Sequence, residues 1–373
     1  MPVHSTGVEG IYYGLGRESM LVRRLRTYHA LGLVSLLMGL VALSLTGCIS
    51  GGGGVTPKGT VQGTVVDEET SSPIVGAKIL VSASTTATTG STGAYTVTLA
   101  PGTYSVGVQK ERYVPQVKSG VVVTSGKTTQ VDFSLREAKI LVYDDGQHHF
   151  ATEALTNLGY AFTETNDFTA FNDAMAAQGW QLIVVDNPSS ADAGFLTNIE
   201  NFVKAGGHLA ISTWQSDAMP DHTVWGTLGS TSGEAPDGDV HPIYRWVATH
   251  HIFSTPNDVP DFTALSDNWY GVDTFPGDPT GTGIALAGIT EAAEPGKATI
   301  FIANAGRTIF NAFLLDDAAE DTDVPNDGDG DGTADAVEYW ENQVVYLLGQ
   351  AGIRTVRVAA ASVRHGVSGP SNR

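Results

Sequence analysis

The sequence predicts two folded domains, an all-β sandwich over residues 59–136 followed by an α/β domain with a parallel sheet over residues 138–351. In the first segment, apolar and polar residues alternate in short runs that turn residues separate, which is typical of strands with one buried face. In the second segment, continuous apolar runs such as residues 140–143 and 182–185 alternate with amphipathic helical patterns. Strands that are apolar on both faces indicate a parallel sheet covered by helices on both sides.

The composition excludes one large class of partner. The 373-residue chain has 40 acidic and 20 basic residues, which gives it a formal net charge of −20. Binding to nucleic acid depends on the neutralisation of phosphates by Lys and Arg, so nucleic acid is not expected as a partner. Cys48 is the only cysteine, which excludes a disulfide within the chain and a metal site built from several cysteines.

The N-terminal segment has the order of features of an export signal. Arg23, Arg24 and Arg26 precede an apolar run from Ala30 to Leu45, and small residues then lead to Cys48. The apolar run is too short to serve well as a permanent membrane span. This order resembles a bacterial lipoprotein signal, in which the cysteine is lipidated and becomes the first residue of the mature protein. A short buried helix with an unrelated cysteine is the alternative.

The lipoprotein resemblance divides the first part of the chain into three pieces. Residues 1–19 are an upstream extension, residues 20–47 are the signal peptide, and residues 48–58 hold the lipidated Cys48 and a glycine-rich flexible tether. Ile49 follows the cysteine in place of aspartate, which in this family implies delivery to the outer membrane. The resemblance therefore implies a membrane partner, bound through the lipid anchor, and a location in the cell envelope at the outer membrane or cell surface.

The predicted sandwich contains a set of residues typical of one domain family. These residues are Gly63, Val65 and Asp67, then Pro73 to Ala77, Gly93 to Tyr95, and Leu99 to Tyr104. They resemble the carboxypeptidase regulatory-like domain, a transthyretin-type sandwich. The resemblance implies a non-catalytic spacer or a binding module on a surface protein, with a glycan or an envelope protein as its partner.

Three stretches of the second domain are similar to class I glutamine-amidotransferase-like domains, which have a flavodoxin-like architecture. They are the strand at residues 140–145, the helix-to-strand turn at residues 202–209, and the loop at residues 251–256. That family places a nucleophilic cysteine after a central strand. At this point the present chain has residues 212–216, without a cysteine and without the glycines of a serine elbow. The family activity is therefore not carried over, and a non-catalytic role is the leading hypothesis.

A candidate pocket lies where two predicted strands end. Open α/β sheets place ligands beyond the carboxyl ends of their strands. The candidate pocket residues are Asp144, Asp145, His148, Ser212, Ser216 and His251, and the histidines belong to the pairs His148-His149 and His250-His251. One alternative is a hydrolase that has rebuilt its site from a serine or Asp144 with a histidine. Another is that these loop histidines are solvated scaffold and that the chain is a spacer without a ligand.

An acidic stretch near the C-terminus, residues 327–338, has the spacing of an EF-hand calcium loop. Its expected ligands are Asp327, Asp329, Asp331, Asp335 and Glu338 through their carboxylates and Thr333 through its carbonyl, with Gly332 at the turn. The loop resembles the calcium loops of extracellular bacterial modules, although Ala334 departs from the larger aliphatic residue usual there. A structural calcium ion is therefore expected, bound at about 10⁻⁴ to 10⁻³ M. A solvated acidic linker is the alternative, and residues 352–373 are predicted to be a disordered tail.

Overall fold

A computed structural model describes most of both domains. The described residues are 57–81, 85–146, 148–177, 179–188, 190–231, 233, 241–263, 274–317 and 326–363. Cys48, the upstream extension and the signal peptide lie outside the described residues, so these predictions have no structural counterpart here. Among the helices of the described part, none combines the length and the apolar character that a membrane crossing requires.

The first domain is a sandwich of two four-stranded sheets. Its strands are β1 (Gly59–Asp67), β2 (Lys78–Val81), β3 (Thr85–Thr88), β4 (Ala94–Leu99), β5 (Gly102–Gln109), β6 (Gln116–Val123), β7 (Thr128–Gln130) and β8 (Phe133–Leu135). One sheet has the order β4-β1-β7 with β8 also paired to β1, and the other has the order β3-β2-β5-β6. Alternate residues such as Val61, Tyr95 and Val97 form the core between the sheets. The predicted all-β sandwich is confirmed.

The second domain alternates strands and helices along the chain. Its elements are β9 (Ile140–Asp144), α1 (Phe150–Asn157), β10 (Phe162–Thr165), α2 (Phe168–Ala176), β11 (Leu182–Asp186), α3 (Ala193–Lys204), β12 (Leu209–Ser212), α4 (Gln215–Ala218), α5 (Val224–Leu228), β13 (Tyr244–Arg245), α6 (His251–Ser254), β14 (Ile284–Gly288), β15 (Ala298–Ala303), β16 (Thr308–Asn311), a 3₁₀ turn (Leu315–Asp317) and α7 (Asp335–Val363). Residues of α1, α6 and α7 cover one face of the sheet, and residues of α2, α3 and α5 cover the other.

The sheet of the second domain is mixed: its first five strands are parallel to one another, and the other three are antiparallel to their neighbours. Its order is β10-β9-β11-β12-β16-β15-β14-β13, with parallel pairs from β10 to β16 and antiparallel pairs from β16 to β13. The parallel part has a flavodoxin-like order, since the second strand along the chain lies outside the first. The antiparallel strands were not predicted. The turn between Ala303 and Thr308 is short, and a short connection can join only antiparallel strands.

The last helix is longer than the sequence pattern indicated. Helix α7 continues to Val363, whereas the predicted domain ended at residue 351 and a disordered tail was expected from residue 352. Helix α7 thus extends past residue 351, the predicted end of the domain. Ala359 to Ala361 are strong helix formers and favour this continuation. Residues 364–373 lie outside the described residues.

Candidate functional site

Four parallel strands end in a row of buried polar residues. Asp144 of β9 pairs in register with Asp186 of β11, Asp186 with Ser212 of β12, and Ser212 with Asn311 of β16. Each of the four is 1% exposed or less. Because parallel strands in register place paired side chains on the same face, the row forms a continuous polar edge at the carboxyl ends of the strands. We call these four residues the polar edge.

The loop after β9 brings a third carboxylate to the polar edge. The Gly146 amide donates a hydrogen bond to Asp144 Oδ1 over 3.1 Å, and the His148 amide donates one to Asp316 Oδ1 over 2.8 Å. Gly146 allows this close approach, because a Cβ atom at this position would lie 3.0 Å from Asp316 Oδ1 and 3.5 Å from Asp144 Oδ1. The predicted pocket residue His148 is half-buried, and its ring stacks on Phe150 with the centroids 5.1 Å apart.

Charge at the polar edge is poorly compensated. Burial raises the pKa of Asp186 well above its ordinary value, and the negative charges of Asp144 and Asp316 raise it further. Burial also raises the pKa of Asp144, although the hydrogen bond to His149 opposes this shift. Asp144 Oδ2 and Asp186 Oδ1 are buried and have no hydrogen-bond partner among the described residues. Ionisation of these carboxyl groups is therefore costly, and a cation bound beside them would favour their ionised forms.

Among the residues that the structure describes, neither predicted serine is hydrogen-bonded to a histidine. The Ser212 hydroxyl donates to the Phe313 carbonyl over 2.8 Å and accepts from the Leu315 amide over 3.0 Å, so it holds the chain that follows β16. Ser216 is fully buried, and its hydroxyl has no hydrogen-bond partner among the described residues. His251 is exposed at the first residue of α6. Asp144 and His148 lie at the two ends of the loop that follows β9. Ser212 and Ser216 are buried, and Ser212 has a structural role.

Sequence reasoning missed several residues that the fold brings to this edge. Asp186 directly follows the apolar run at residues 182–185. This position at the end of a predicted strand could have identified it as a candidate site residue. Asp316 is separated from His148 by 168 residues, so only the strand order places them together. Asp145, which was predicted, is half-buried, and its amide donates to the Asp186 carbonyl over 3.3 Å.

The loop at residues 327–338 is organised around the Asp327 carboxylate. Asp327 Oδ1 accepts hydrogen bonds from the amides of Gly330 (2.7 Å) and Asp331 (3.2 Å), and its Oδ2 accepts one from the Gly332 amide (2.9 Å). Gly332 has a φ of +97°, a left-handed conformation that favours glycine. Asp327, Asp329 and Asp331 each place one carboxylate oxygen within 4.8 Å of the others. The first half of the loop thus gathers three acidic side chains around one point.

The second half of the loop leads into α7. Asp335 and Glu338 lie in the first turn of this helix, and each is 4% exposed. Asp335 Oδ1 accepts a hydrogen bond from the Gly328 amide over 3.0 Å, whereas Glu338 Oε2 is buried without a partner among the described residues. Burial raises the pKa of Glu338 to about 7, and the charges of Asp329, Asp331 and Asp335 contribute to this shift. The Thr333 amide donates to Asp331 Oδ1 over 2.8 Å.

The chain folds into a β-sandwich followed by a mixed α/β domain. Residues 60–136 match the family model of the carboxypeptidase regulatory-like domain, which confirms the resemblance drawn for the sandwich. A comparison with curated proteins gave no match.

Solved structures are similar to parts of this chain. A chain from a mutant type II cohesin–X-dockerin complex of Acetivibrio cellulolyticus is 26% identical over 20% of this chain and 52% of that chain, with a TM-score of 0.18. A proposed carbohydrate-binding protein from Bacteroides uniformis is 22% identical over 21% of this chain and 41% of that chain, with a TM-score of 0.18. A proposed ThuA-like protein from Bacteroides uniformis is 12% identical over 56% of this chain and 91% of that chain, with a TM-score of 0.35. The first two similarities therefore involve about half or less of the chain compared.

Proposed function

We propose that this protein is a lipid-anchored binding or presentation module of the cell envelope, without catalytic activity, whose second domain is stabilised by calcium. The buried and unpartnered Glu338 carboxylate oxygen carries the calcium part of the proposal. It lies at the position where an EF-hand loop supplies its last ligand. A buried carboxylate without a hydrogen-bond donor is costly, and a cation is the partner that removes this cost.

The side chains of the loop fit calcium better than a softer metal. Calcium takes six to eight oxygen ligands, and the donors in residues 327–338 are carboxylates and a backbone carbonyl. Bound calcium would be held by Asp327, Asp329, Asp331, Asp335 and Glu338, with the Thr333 carbonyl as a further ligand. Its positive charge would offset the repulsion among these carboxylates and fix the first turn of α7.

Calcium addition is expected to raise the melting temperature of the protein. For a dissociation constant of about 1 mM, 10 mM calcium stabilises the folded state by about 1.4 kcal/mol, which corresponds to about 3 °C. The measurement is thermal unfolding of chelator-stripped protein with calcium or with magnesium, on the wild type and on the Glu338→Gln variant. The Glu153→Gln variant is the matched control, because Glu153 is an exposed glutamate in the first turn of another helix.

We expect the calcium shift in the wild type and in Glu153→Gln, and its loss in Glu338→Gln. An equal melting temperature with and without calcium in the wild type would contradict the calcium proposal. So would an equal calcium shift in the two glutamate variants.

The envelope part of the proposal rests on the signal-like segment before Cys48 and on the sandwich. Carboxypeptidase regulatory-like domains are usually non-catalytic modules of surface proteins, and glycans are the ligand class that we propose. The Ser212 hydroxyl forms hydrogen bonds with two backbone groups and not with a base. Because a serine nucleophile needs a neighbouring base, this supports a non-catalytic role.

One preparation tests both the anchor and the ligand class. Protein extracted from cell membranes with detergent is expected to begin at an acylated Cys48 by mass spectrometry and to bind a defined subset of a glycan array. The heat-unfolded protein serves as the array control. An unmodified Cys48 would contradict the lipid anchor, and array signals equal to those of the unfolded control would contradict glycan binding.

A further inference from the structure

A second group of ligand atoms lies at one end of the polar edge. Asp144, His149 and Glu164 each place one carboxylate oxygen or ring nitrogen within 4.8 Å of the others. They come from the end of β9, the residue before α1, and β10. Asp144 is buried, whereas His149 and Glu164 are exposed, so the group is open to solvent on one side. None of these atoms belongs to the loop at residues 327–338.

An independent observation indicates that a cation would be favourable at this place. Asp186 is 1% exposed and lies in register with Asp144 on the neighbouring parallel strand, so both carboxylates lie on the same face of the sheet. Asp186 Oδ1 and Asp144 Oδ2 are both buried, and neither has a hydrogen-bond partner among the described residues. Two adjacent buried carboxylates with free oxygens are costly when ionised, and a cation bound between or beside them offsets this cost.

The position of the group in the sheet agrees with this requirement. Strand β9 lies between β10 and β11, so the chain passes from β9 to one side and then crosses to the other. In open α/β sheets, this reversal of strand order leaves a crevice at the carboxyl ends of the strands, where ligands bind. Asp144 and Asp186 end β9 and β11, the two strands between which the strand order reverses.

We propose that one divalent transition-metal cation binds at the Asp144 end of the polar edge, with Asp144, His149 and Glu164 as direct ligands and Asp186 as the adjacent carboxylate. Two carboxylates and one imidazole are donors typical of Mn²⁺ and Zn²⁺ sites. His149 Nδ1 and Asp144 Oδ1 are hydrogen-bonded over 3.1 Å, so these two candidate ligand atoms already lie close together.

The test uses the full chain with the calcium loop disabled. In the Asp327→Asn/Asp329→Asn variant, we expect isothermal titration to show one saturable site for Mn²⁺ or Zn²⁺. Adding Glu164→Gln or His149→Ala to this variant is expected to weaken binding at least tenfold. Adding Glu153→Gln, which alters an exposed glutamate four residues from His149, is expected to leave the affinity unchanged. Both tested side chains are exposed, so their replacement leaves the fold intact, and tryptophan fluorescence checks this.

Asp186→Asn provides a further measurement. Asparagine has nearly the same shape but cannot ionise beside the cation, so the variant is expected to fold and to bind the metal at least threefold more weakly. Absence of saturable binding of both ions in the loop-disabled chain would overturn the proposal. So would equal affinity after Glu164→Gln and Glu153→Gln. Calcium stabilisation is measured separately on the wild type, so failure here leaves the calcium proposal unaffected.

Discussion

Replacing Tyr339 with alanine is expected to lower the free energy of unfolding of the α/β domain by about 4 kcal/mol, since a buried aromatic ring leaves a large cavity. The Tyr339 ring is fully buried, stacks on Phe253 with the centroids 5.8 Å apart, and meets Phe262 edge-on at 5.4 Å. Its hydroxyl donates to Asn311 Oδ1 over 2.8 Å and thereby joins α7 to the end of β16. The substitution removes both the packing and this hydrogen bond.

A second variant separates the two contributions. Tyr339→Phe keeps the ring and leaves Asn311 Oδ1 without its buried donor, so a loss of about 1 to 2 kcal/mol is expected. Tyr244→Phe is the matched control in the same domain, because Tyr244 is only half-buried and lies on the edge strand β13. The control is expected to change stability by less than about 0.5 kcal/mol.

Tryptophan fluorescence during urea unfolding measures the α/β domain selectively. All six tryptophans lie after residue 138, so the signal comes from this domain. Calcium stabilisation is also expected to fall in Tyr339→Ala, because Glu338 precedes Tyr339 in the first turn of α7. An unfolding midpoint for Tyr339→Ala equal to that of Tyr339→Phe would show that the ring contributes little, contrary to the packing observed.

The fold was predictable where the hydrophobic pattern alone decides the structure. The alternation in β1 and β4 and the solid apolar runs of β9 and β11 each identify a strand and its surroundings. Helix α3 was equally clear, since Phe195, Ile199 and Val203 recur on one face and the Asp192 side chain caps its first turn.

The polar edge was only partly predictable, because no local sequence pattern indicates the order of the strands in the sheet. Asp144 was identifiable as a residue that follows a strand, but its proximity to Asp186 depends on β11 lying beside β9. Glu164 reaches the same point because β10 lies on the other side of β9. The loop at residues 327–338 differs in this respect, since all its proposed ligands lie within twelve consecutive residues.

The second large effect is expected in the sandwich, where two backbones meet closely at Gly63. A Cβ atom at this position would lie 1.8 Å from the Val131 carbonyl oxygen and 2.6 Å from the Val131 carbonyl carbon. The Val131 amide donates to the Gln62 carbonyl over 2.8 Å, and the Val131 carbonyl accepts from the Tyr95 hydroxyl over 2.6 Å. The obstacle is therefore backbone that is already held from two sides, and no flexible side chain can move away.

Gly63→Ala is consequently expected to destabilise the sandwich by about 3 kcal/mol or more, because β1 must separate locally from Val131 and the Tyr95 hydrogen bond is lost. Gly90→Ala is the matched control in the same domain, since a Cβ atom there would lie no closer than 3.9 Å to the Ala94 carbonyl oxygen. Amide hydrogen exchange in β1 and β4 reports the opening of the sandwich, which tryptophan fluorescence does not monitor. We expect faster exchange in Gly63→Ala and wild-type exchange in Gly90→Ala. Equal exchange in the two variants would mean that β1 and Val131 can separate at little cost, which their mutual hydrogen bonds oppose.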